Sequence, residues 1–243
     1  MKLLITGAES YVGTTVADYI HEHRPEWTIY QLDVRTEKWK EHDFSDYNAI
    51  YHVAGLAHRK ITSDIEPLYY KVNRDLAIAI ARKAKDSGIK QFNFMSTMGV
   101  YSYDETYVDY STPTNPDNAY GMSKLQAEKE LEKLACDHFV VSIVRPPMIY
   151  GKGCRGNYNA LRKIALKSPV FPKVNNQLSM LYIDNLSELI MQIVEKPKNG
   201  LLFPQNAELV NTSDWVKCIA DEHGKKIYLS RFLEICQSLQ INF

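Results

Sequence analysis

The first thirteen residues constrain the fold more than any other stretch of this chain. Lys2–Thr6 predicts a short buried strand, which runs into Thr6-Gly7-Ala8-Glu9-Ser10-Tyr11-Val12-Gly13 and a helical pattern from Thr14 to about His23. A strand, a glycine turn and a helix together open a dinucleotide-binding βαβ unit. Gly7 permits the tight turn, Gly13 permits close packing of helix on strand, and the free N–H groups of the helix suit a pyrophosphate.

Ser10 stands where the usual pattern has its middle glycine. Serine is small, so the backbone can still approach a pyrophosphate closely. A plain turn is the alternative explanation of such a motif. The residues expected to line the phosphates are Gly7, Ser10, Tyr11, Val12 and Gly13.

An acidic residue follows the second predicted strand, Thr28–Leu32. Asp33 lies about 20 residues past Gly13, where a carboxylate binds both ribose hydroxyls of NAD and repels the 2′-phosphate of NADP. Arg35, two residues later, complicates that choice. The pattern therefore predicts NAD as the cofactor and leaves NADP open.

Small and polar residues flank the third predicted strand, Ala49–Val53. Asp43-Phe44 precede it and would bracket an adenine. Ala54-Gly55 follow it and would let a cofactor lie against the backbone. A long helical pattern, Pro67–Ser87, then carries apolar residues at three- and four-residue spacing and includes Asn73.

The fourth predicted strand, Gln91–Met95, runs into Ser96-Thr97. Hydroxyl residues at the carboxyl end of a strand lie where ligands bind in such folds. A later helix, predicted from Pro116-Asp117 to about Ala135, carries Tyr120 and Lys124 one turn apart on the same face.

A lysine held close to a tyrosine, with a nicotinamide ribose between them, lowers the pKa of the phenol from about 10 towards neutrality. Tyr120 would then take a proton from a substrate hydroxyl while hydride leaves the adjacent carbon. Thr97 would bond the same oxygen. Taken alone, Tyr120 and Lys124 are also explained as a surface pair.

After the fifth predicted strand, Phe139–Val144, the alternation of strands and helices loosens. The later predicted helices are Asn157–Lys167, Asp184–Glu195, one opening at Thr212-Ser213-Asp214 and one near Ser230–Leu239, with short strands near Val170, at Met180–Ile183 and at Leu201–Phe203. We expect an α/β protein with a Rossmann-type, doubly wound parallel sheet. Residues 1–151 would form the dinucleotide-binding domain, and residues 152–243 a small substrate-capping lobe packed on it.

The charge balance and the hydropathy pattern exclude several classes of partner. The chain has 29 basic and 29 acidic residues without a long block of like charge, so no nucleic-acid or membrane partner is expected. The run Met1–Gly7 is too short for a signal peptide, and no apolar stretch approaches the ~18–20 residues of a membrane span. A cytoplasmic protein is therefore predicted.

The cysteines and histidines indicate neither disulfides nor a metal site. The cysteines are scattered and have no histidine at ligand spacing, which predicts reduced thiols; they are Cys136, Cys154, Cys218 and Cys236. His52 and His58 suit packing and polar-loop positions, and neither receives a chemical role.

Together these segments resemble the extended short-chain dehydrogenase/reductase family, specifically its NAD-dependent nucleotide-sugar epimerase/dehydratase branch. The matching residues follow the family's order and are Thr6–Gly13, Asp33, Asp43-Phe44, His52–Gly55, Asn73, Ser96-Thr97, Val100-Tyr101, Tyr120–Lys124, Arg145–Gly151 and Leu181–Asp184. The resemblance implies tightly held NAD with Asn73 among its contacts, a nucleotide-sugar substrate and a catalytic set of Thr97, Tyr120 and Lys124. It also implies a homodimer through the Pro67–Ser87 and Asp117–Ala135 helices.

The two residues after Thr97 discriminate within that branch. Sugar 4,6-dehydratases of the family have Asp-Glu there, whereas this chain has Met98 and Gly99, neither of which transfers a proton. Dehydration is therefore disfavoured, and 4-epimerisation or reduction of a keto-sugar remains. In an epimerase, Tyr120 would take the C4 hydroxyl proton and NAD the hydride. The keto intermediate would rotate, and hydride would return to its opposite face.

Three departures from the family concern the substrate. UDP-sugar epimerases usually have a diphosphate-binding arginine in the segment that is Asn175–Ser179 here, and its alternatives would be Lys152, Arg155, Arg162 or Lys173. Met148 replaces an asparagine of UDP-galactose epimerases. Many members continue beyond the position of Asn242, so the chain is expected to be either short or truncated.

Three functions follow from these residues, in decreasing order of support. The first is an NAD-dependent C4 epimerase of a UDP-type sugar. The second is an NAD(P)H-dependent reductase of a nucleotide-linked 4-keto-sugar or another small carbonyl compound. The third is an NAD-binding sensor or scaffold without turnover, which the missing arginine motivates and the intact Thr97, Tyr120 and Lys124 oppose.

Overall fold

A computed structural model of the chain describes residues 1–57, 61–154 and 156–231. The strands are β1 Lys2–Thr6, β2 Thr28–Leu32, β3 Ala49–His52, β4 Gln91–Met95, β5 Val140–Val144, β6 Met148–Tyr150, β7 Val170–Pro172, β8 Met180–Tyr182, β9 Gly200–Leu202 and β10 Tyr228–Ser230. The helices are α1 Tyr11–His23, α2 Glu66–Tyr69, α3 Leu76–Asp86, α4 Ala119–Glu132, α5 Asn157–Lys167, α6 Ile183–Glu195 and α7 Thr212–Glu222. A π-helical segment, Tyr70–Asp75, joins α2 to α3, and 3-10 turns span Glu37–Lys40 and Met98–Val100.

Six strands form one parallel sheet in the order β2-β1-β3-β4-β5-β9. The strands β1 and β3 are almost continuously apolar and buried, as expected for strands covered on both faces. The order in which strands are added changes side between β1 and β3, because β2 lies on one side of β1 and β3 to β5 lie on the other. Ligands bind at such switch points, outside the carboxyl ends of the strands. The predicted Rossmann-type, doubly wound fold is confirmed.

Helices cover both faces of this sheet. Phe92 and Phe94 of β4 pack in one core cluster with Ile80 of α3 and Leu131 of α4. Gln91, which points to the opposite face of β4, donates a hydrogen bond to a backbone carbonyl of α6. Helix α6 in turn packs against α1. The layers α3/α4 and α1/α6 thus hold the ends of β1, β3 and β4 in fixed positions.

Two helices begin at positions other than those predicted, because side chains cap them. Helix α1 begins at Tyr11 rather than Thr14, since Ser10 accepts a hydrogen bond from the Gly13 N–H at 3.1 Å. Helix α4 begins at Ala119 rather than at Pro116-Asp117 and ends at Glu132, three residues before Ala135. Its cap is Asn118, whose side chain accepts from the Gly121 N–H at 3.0 Å.

Other differences concern elements that local periodicity does not reveal. The helix predicted over Pro67–Ser87 is interrupted by the π-helical segment, and β6 was not predicted. Ser230 ends strand β10 instead of opening a final helix. Residues 232–239 of that predicted helix lie outside the described residues, as do His58 and Arg155.

Contacts divide the chain into two compact units. Unit 1 contains Met1–Pro146 and Ile183–Pro204, and unit 2 contains Pro147–Tyr182 and Gln205–Phe243. In unit 2, α5 and α7 share an apolar core with Phe171 and Ile227, and the parallel pairs β7/β10 and β6/β8 complete it. The substrate-capping role of residues 152–243 stays a prediction. In the part of the chain that is described, no helix has the length and apolar character of a membrane span.

Candidate active site

The glycine turn after β1 is shaped by close backbone approaches. Gly7 has a φ of 109°, and a Cβ there would lie 2.8 Å from the backbone nitrogen of Ala54. A Cβ on Gly13 would lie 2.5 Å from the Ser10 Oγ and 3.0 Å from a methyl carbon of Val53. Ser10, in place of the middle glycine, uses its hydroxyl to cap α1. The turn therefore keeps the bare backbone that a pyrophosphate requires.

The carboxylate of Asp33 is held by Arg35. The Arg35 Nη2 donates to Asp33 Oδ2 at 2.6 Å, and the Arg35 Nε donates to Oδ1 at 2.9 Å. These hydrogen bonds hold the pKa of Asp33 below its usual value. Arg35 also lies 3.1 Å from the Glu9 carboxylate, and all three side chains are exposed. The predicted ribose ligand thus has an arginine partner within the protein.

The side chains of Asp43 and Phe44 lie in different environments. The Phe44 ring is fully buried in the core cluster, with the Lys83 ammonium 4.8 Å from its centroid. The Asp43 carboxylate is exposed and accepts from the Ser45 N–H at 2.9 Å. An adenine could therefore meet Asp43 and the backbone of residue 44, whereas the Phe44 ring belongs to the core.

Thr97, Tyr120 and Lys124 meet at the carboxyl end of β4. The Thr97 hydroxyl and the Tyr120 ring meet beside Gly99, where an added Cβ would lie 3.4 Å from the Thr97 Oγ1 and 3.7 Å from the Tyr120 Cε1. Lys124 is 4% exposed, and its Nζ donates to the Met95 carbonyl at 2.7 Å. A Cβ on Gly55 would lie 3.2 Å from that Nζ, so a side chain there would crowd the ammonium. The structure thus brings the predicted catalytic residues together beside the predicted cofactor contacts.

Asn73 connects this set to the loop after β3. Its amide accepts from the Leu56 N–H at 2.7 Å and donates to the Leu56 carbonyl and to the Ser123 hydroxyl, both at 3.1 Å. Asn73 is fully buried and lies in the π-helical segment. Such bulges are frequent at functional sites. Asn73 is predictable from the sequence as a cofactor contact, whereas its partners Leu56 and Ser123 carry no local signal.

Two glycines let α4 approach the turn that follows β4. A Cβ on Gly121 would overlap the carbonyl oxygen of Gly99 and would lie 2.9 Å from the Pro116 Cβ. Gly121 follows Tyr120 directly, so its missing side chain sets the distance from the phenol to Thr97. Gly99 therefore contacts α4 closely through its backbone, and it supplies neither an acid nor a base.

Burial dominates the electrostatics of the set. It raises the pKa of Tyr120, although the hydrogen bond with Thr97 opposes the rise. It lowers the pKa of Lys124 to about 8, and the negative charge of Glu128 opposes that shift. The predicted lowering of the phenol pKa, which requires a ribose between Tyr120 and Lys124, stays a prediction.

His52 is a neutral core residue. Burial lowers its pKa to about 3, the charge of Lys124 adds to this, and its Nδ1 lies 2.7 Å from the Thr6 hydroxyl. Its ring stacks between Phe92 and Phe94. A neutral histidine that bonds to β1 and stacks on rings of β4 is consistent with a packing role.

In unit 2, polar side chains occupy the segment Asn175–Ser179, where the resemblance implied a diphosphate-binding arginine. Asn176 bonds both the hydroxyl and the N–H of Thr212, at 2.9 and 3.1 Å. Leu178 pairs with Val210, and Met148 lies in β6 opposite Met180. This segment presents amides rather than a cation.

The chain matches a family model and curated relatives over most of its length. The model of the NAD dependent epimerase/dehydratase family matches residues 3–203. A UDP-glucose 4-epimerase of Vibrio cholerae is 29% identical over 246 residues, covering 90% of this chain and 75% of the relative. The N-acetyl-alpha-D-glucosaminyl-diphospho-ditrans,octacis-undecaprenol 4-epimerase of Escherichia coli O157:H7 is 31% identical over 210 residues, covering 78% of this chain and 62% of the relative.

A solved structure shares the fold. The dTDP-4-dehydrorhamnose reductase of Clostridium acetobutylicum ATCC 824 superimposes with a TM-score of 0.78 and 18% identity, covering 95% of this chain and 83% of that chain. At this identity the likeness concerns architecture alone. The family match spans the glycine turn, Thr97, Tyr120 and Lys124. The chain belongs to the NAD-dependent epimerase/dehydratase family.

Proposed function

We propose that the protein is an NAD-dependent epimerase of a nucleotide sugar of the UDP type, acting at C4. The observation that carries this proposal is the meeting of the Thr97 and Tyr120 side chains beside Gly99, with the buried Lys124 one turn away. Two neighbouring hydroxyls can share a substrate oxygen. Tyr120 can then move its proton while Thr97 holds its position.

The residues proposed to hold NAD fit a dinucleotide, because a tight glycine turn joins β1 to the N-terminus of α1, where free N–H groups suit a pyrophosphate. Gly7 and Gly13 permit this turn, since a Cβ at either position would strike protein atoms. The set is Gly7, Ser10, Tyr11, Val12 and Gly13 at the pyrophosphate, Asp33 at the ribose, Asp43 and Phe44 near the adenine, and Ala54, Gly55, Asn73, Tyr120 and Lys124 near the nicotinamide. When bound, NAD supplies an acceptor, and then a donor, of hydride at the carbinol carbon.

In the proposed reaction, Tyr120 removes the proton of the C4 hydroxyl as hydride leaves C4, and a 4-keto sugar results. The ammonium of Lys124 stabilises the negative charge of the phenolate. After the keto sugar rotates, hydride enters the opposite face and Tyr120 returns the proton to the oxygen. No net oxidation occurs, so no further reductant is needed.

The turn after Thr97 supports epimerisation over dehydration. Met98 packs with Val100, Tyr101 and Leu125 in an apolar cluster, and Gly99 has no side chain. Elimination of water needs an additional acid and base at C5 and C6, and these two positions supply neither. The curated relatives from Vibrio cholerae and Escherichia coli are both named as 4-epimerases, in agreement with this proposal.

Reduction of a nucleotide-linked keto-sugar is the second candidate, and Arg35 favours it. Its guanidinium occupies both oxygens of Asp33, as expected where a 2′-phosphate is to be accepted beside a neutralised carboxylate.

Purified protein incubated with UDP-glucose and with UDP-N-acetylglucosamine tests these alternatives. Conversion to the C4 epimer without net consumption of cofactor is the expected outcome. Consumption of NADPH with a 4-keto-sugar, without epimerisation, would replace the epimerase with the reductase. Bound NAD without turnover of any sugar would favour the sensor.

We further propose a homodimer through the outer faces of the helical segment 66–86 and α4. These faces border a groove lined by Arg74, Asp75, Ile78, Ala79, Arg82, Gln126, Lys129 and Glu130. Light scattering should give twice the 28.0 kDa chain mass, and Ile78→Glu should yield monomers. A monomeric wild-type protein would contradict this assembly.

A further inference from the structure

Three consecutive residues at the end of β4 interact with three residues spaced one turn apart on α4. Hydrogen bonds join Met95 to Lys124 and Ser96 to Glu128, and the Thr97 and Tyr120 side chains meet beside Gly99. Positions 120, 124 and 128 share one face of the helix. Two of these interactions involve the proposed catalytic residues. The third, from the Ser96 hydroxyl to the Glu128 carboxylate, lies one turn beyond them and has no part in the proposed chemistry.

Glu128 is a buried carboxylate with a fixed partner. It is 1% exposed, and its Oε1 accepts a hydrogen bond from the Arg145 Nε at 3.0 Å. Arg145 is 5% exposed, donates to the Tyr101 hydroxyl at 2.6 Å, and lies 5.2 Å from that ring. A buried carboxylate is stable only when it is paired and its lone pairs are satisfied. Arg145 therefore holds the Glu128 carboxylate in one orientation towards Ser96.

We propose that Glu128 is a positioning residue for the catalytic set. It fixes the Ser96-Thr97 backbone against α4 through the Ser96 hydroxyl, and Arg145 fixes Glu128 in turn. Since Thr97 follows Ser96 directly, release of the Ser96 tether displaces the Thr97 hydroxyl relative to the Tyr120 phenol. The inference rests on the proposed function, because it assigns Thr97 and Tyr120 to the reacting oxygen.

A buried ion pair can also serve stability alone, so the test must separate geometry from folding. Ser96→Ala removes the tether and leaves the Glu128–Arg145 pair intact. Its matched control is Ser142→Ala in β5, which removes a buried hydroxyl that donates to the Lys198 carbonyl at 2.7 Å. Both variants lose one buried hydrogen bond, and both should lower the melting temperature by a similar amount.

Epimerisation kinetics give the first readout. Ser96→Ala should lower kcat by about tenfold with little change in KM, because small displacements of reacting groups slow chemistry more than they weaken binding. Ser142→Ala should retain the wild-type kcat. Equal kcat values for the two variants would overturn the proposal.

A readout independent of turnover separates this proposal from the proposed function. In protein labelled with ¹³C at threonine methyl groups, the Thr97 signal, assigned with Thr97→Ser, should shift in Glu128→Asp. It should stay in place in the control Glu132→Asp, one turn farther along α4.

An unshifted Thr97 signal in folded Glu128→Asp overturns the tether. If the wild-type protein epimerises no sugar while the signal shifts, the proposed function fails and the tether stands. If Glu128→Asp does not fold, the Ser96→Ala kinetics decide.

Discussion

The two ends of the candidate cofactor site are built in opposite ways. At the catalytic end, Lys124 and Asn73 are buried and each is fixed by hydrogen bonds to the backbone. At the ribose end, the side chains of Asp33, Arg35 and Glu9 are 42%, 66% and 75% exposed. Exposed ion pairs contribute only about 0–1 kcal/mol, whereas an unpaired buried group costs more. Substitutions should therefore have large effects at the first end and small effects at the second.

The largest effect is expected from Tyr120→Phe, which removes the proposed proton carrier. The epimerisation rate should fall by about 10²–10⁴-fold, the usual contribution of a positioned acid or base, while NAD binding persists. Steady-state kinetics and cofactor titration measure the two quantities. Tyr107→Phe, at a 77% exposed tyrosine, is the control. An unchanged rate in Tyr120→Phe would remove this residue from the mechanism.

Lys124→Met tests the burial of the charge. With a pKa of about 8 in the folded protein, against 10.5 as its ordinary value, Lys124 binds fewer protons folded than unfolded between those pH values. Stability of the wild type should therefore rise with pH over this range, relative to Lys124→Met, by about 3 kcal/mol. Urea unfolding at pH 7 and pH 10 gives the difference. The exposed Lys90→Met should show no such trend, and a flat difference for Lys124→Met would contradict the assignment.

Gly121→Ala tests the close approach of α4 to the turn after Thr97. The added Cβ overlaps the Gly99 carbonyl, so the helix or the turn must move. Overpacking of this kind should lower the free energy of unfolding by about 1–3 kcal/mol, and kcat should fall with it. Lys129→Ala, on the exposed side of the same helix, is the control in unfolding and activity measurements. Wild-type stability and activity in Gly121→Ala would show that the contact is not tight.

The smallest effect is expected at the ribose end. Arg35→Ala frees the Asp33 carboxylate, which can then bind ribose hydroxyls and repel a 2′-phosphate. The preference for NAD over NADP should rise by about tenfold at most, as befits an exposed ion pair. Fluorescence titration with both cofactors measures it. Arg24→Ala, which breaks the exposed 2.7 Å pair with Glu195, should leave the preference unchanged. A change of equal size in both variants would rule out a specific role for Arg35.

Much of unit 1 is predictable because its signals are local. The bounds of β1, β2 and β4 follow from apolar runs, and Gly7 and Gly13 mark the turn and the first crossover. Helix starts were less accurate, since Ser10 and Asn118 are caps whose effect depends on the backbone around them. The Phe44 ring shows a further limit. Its place in the sequence suggests a cofactor contact, yet the packing of the sheet puts it in the core.

The sequence by itself determined the order of strands β1 to β5, the glycine turn and the spacing of Tyr120 and Lys124. Periodicity, glycine positions and one-turn spacing are properties of neighbouring residues, so they can be recognised without the tertiary structure. Only the tertiary structure decided that Asn73 reaches Leu56 and Ser123, 17 and 50 residues away, and that Glu128 joins Ser96 to Arg145. Such contacts depend on strand register and helix approach, which arise from the packing of the whole unit rather than from any one segment.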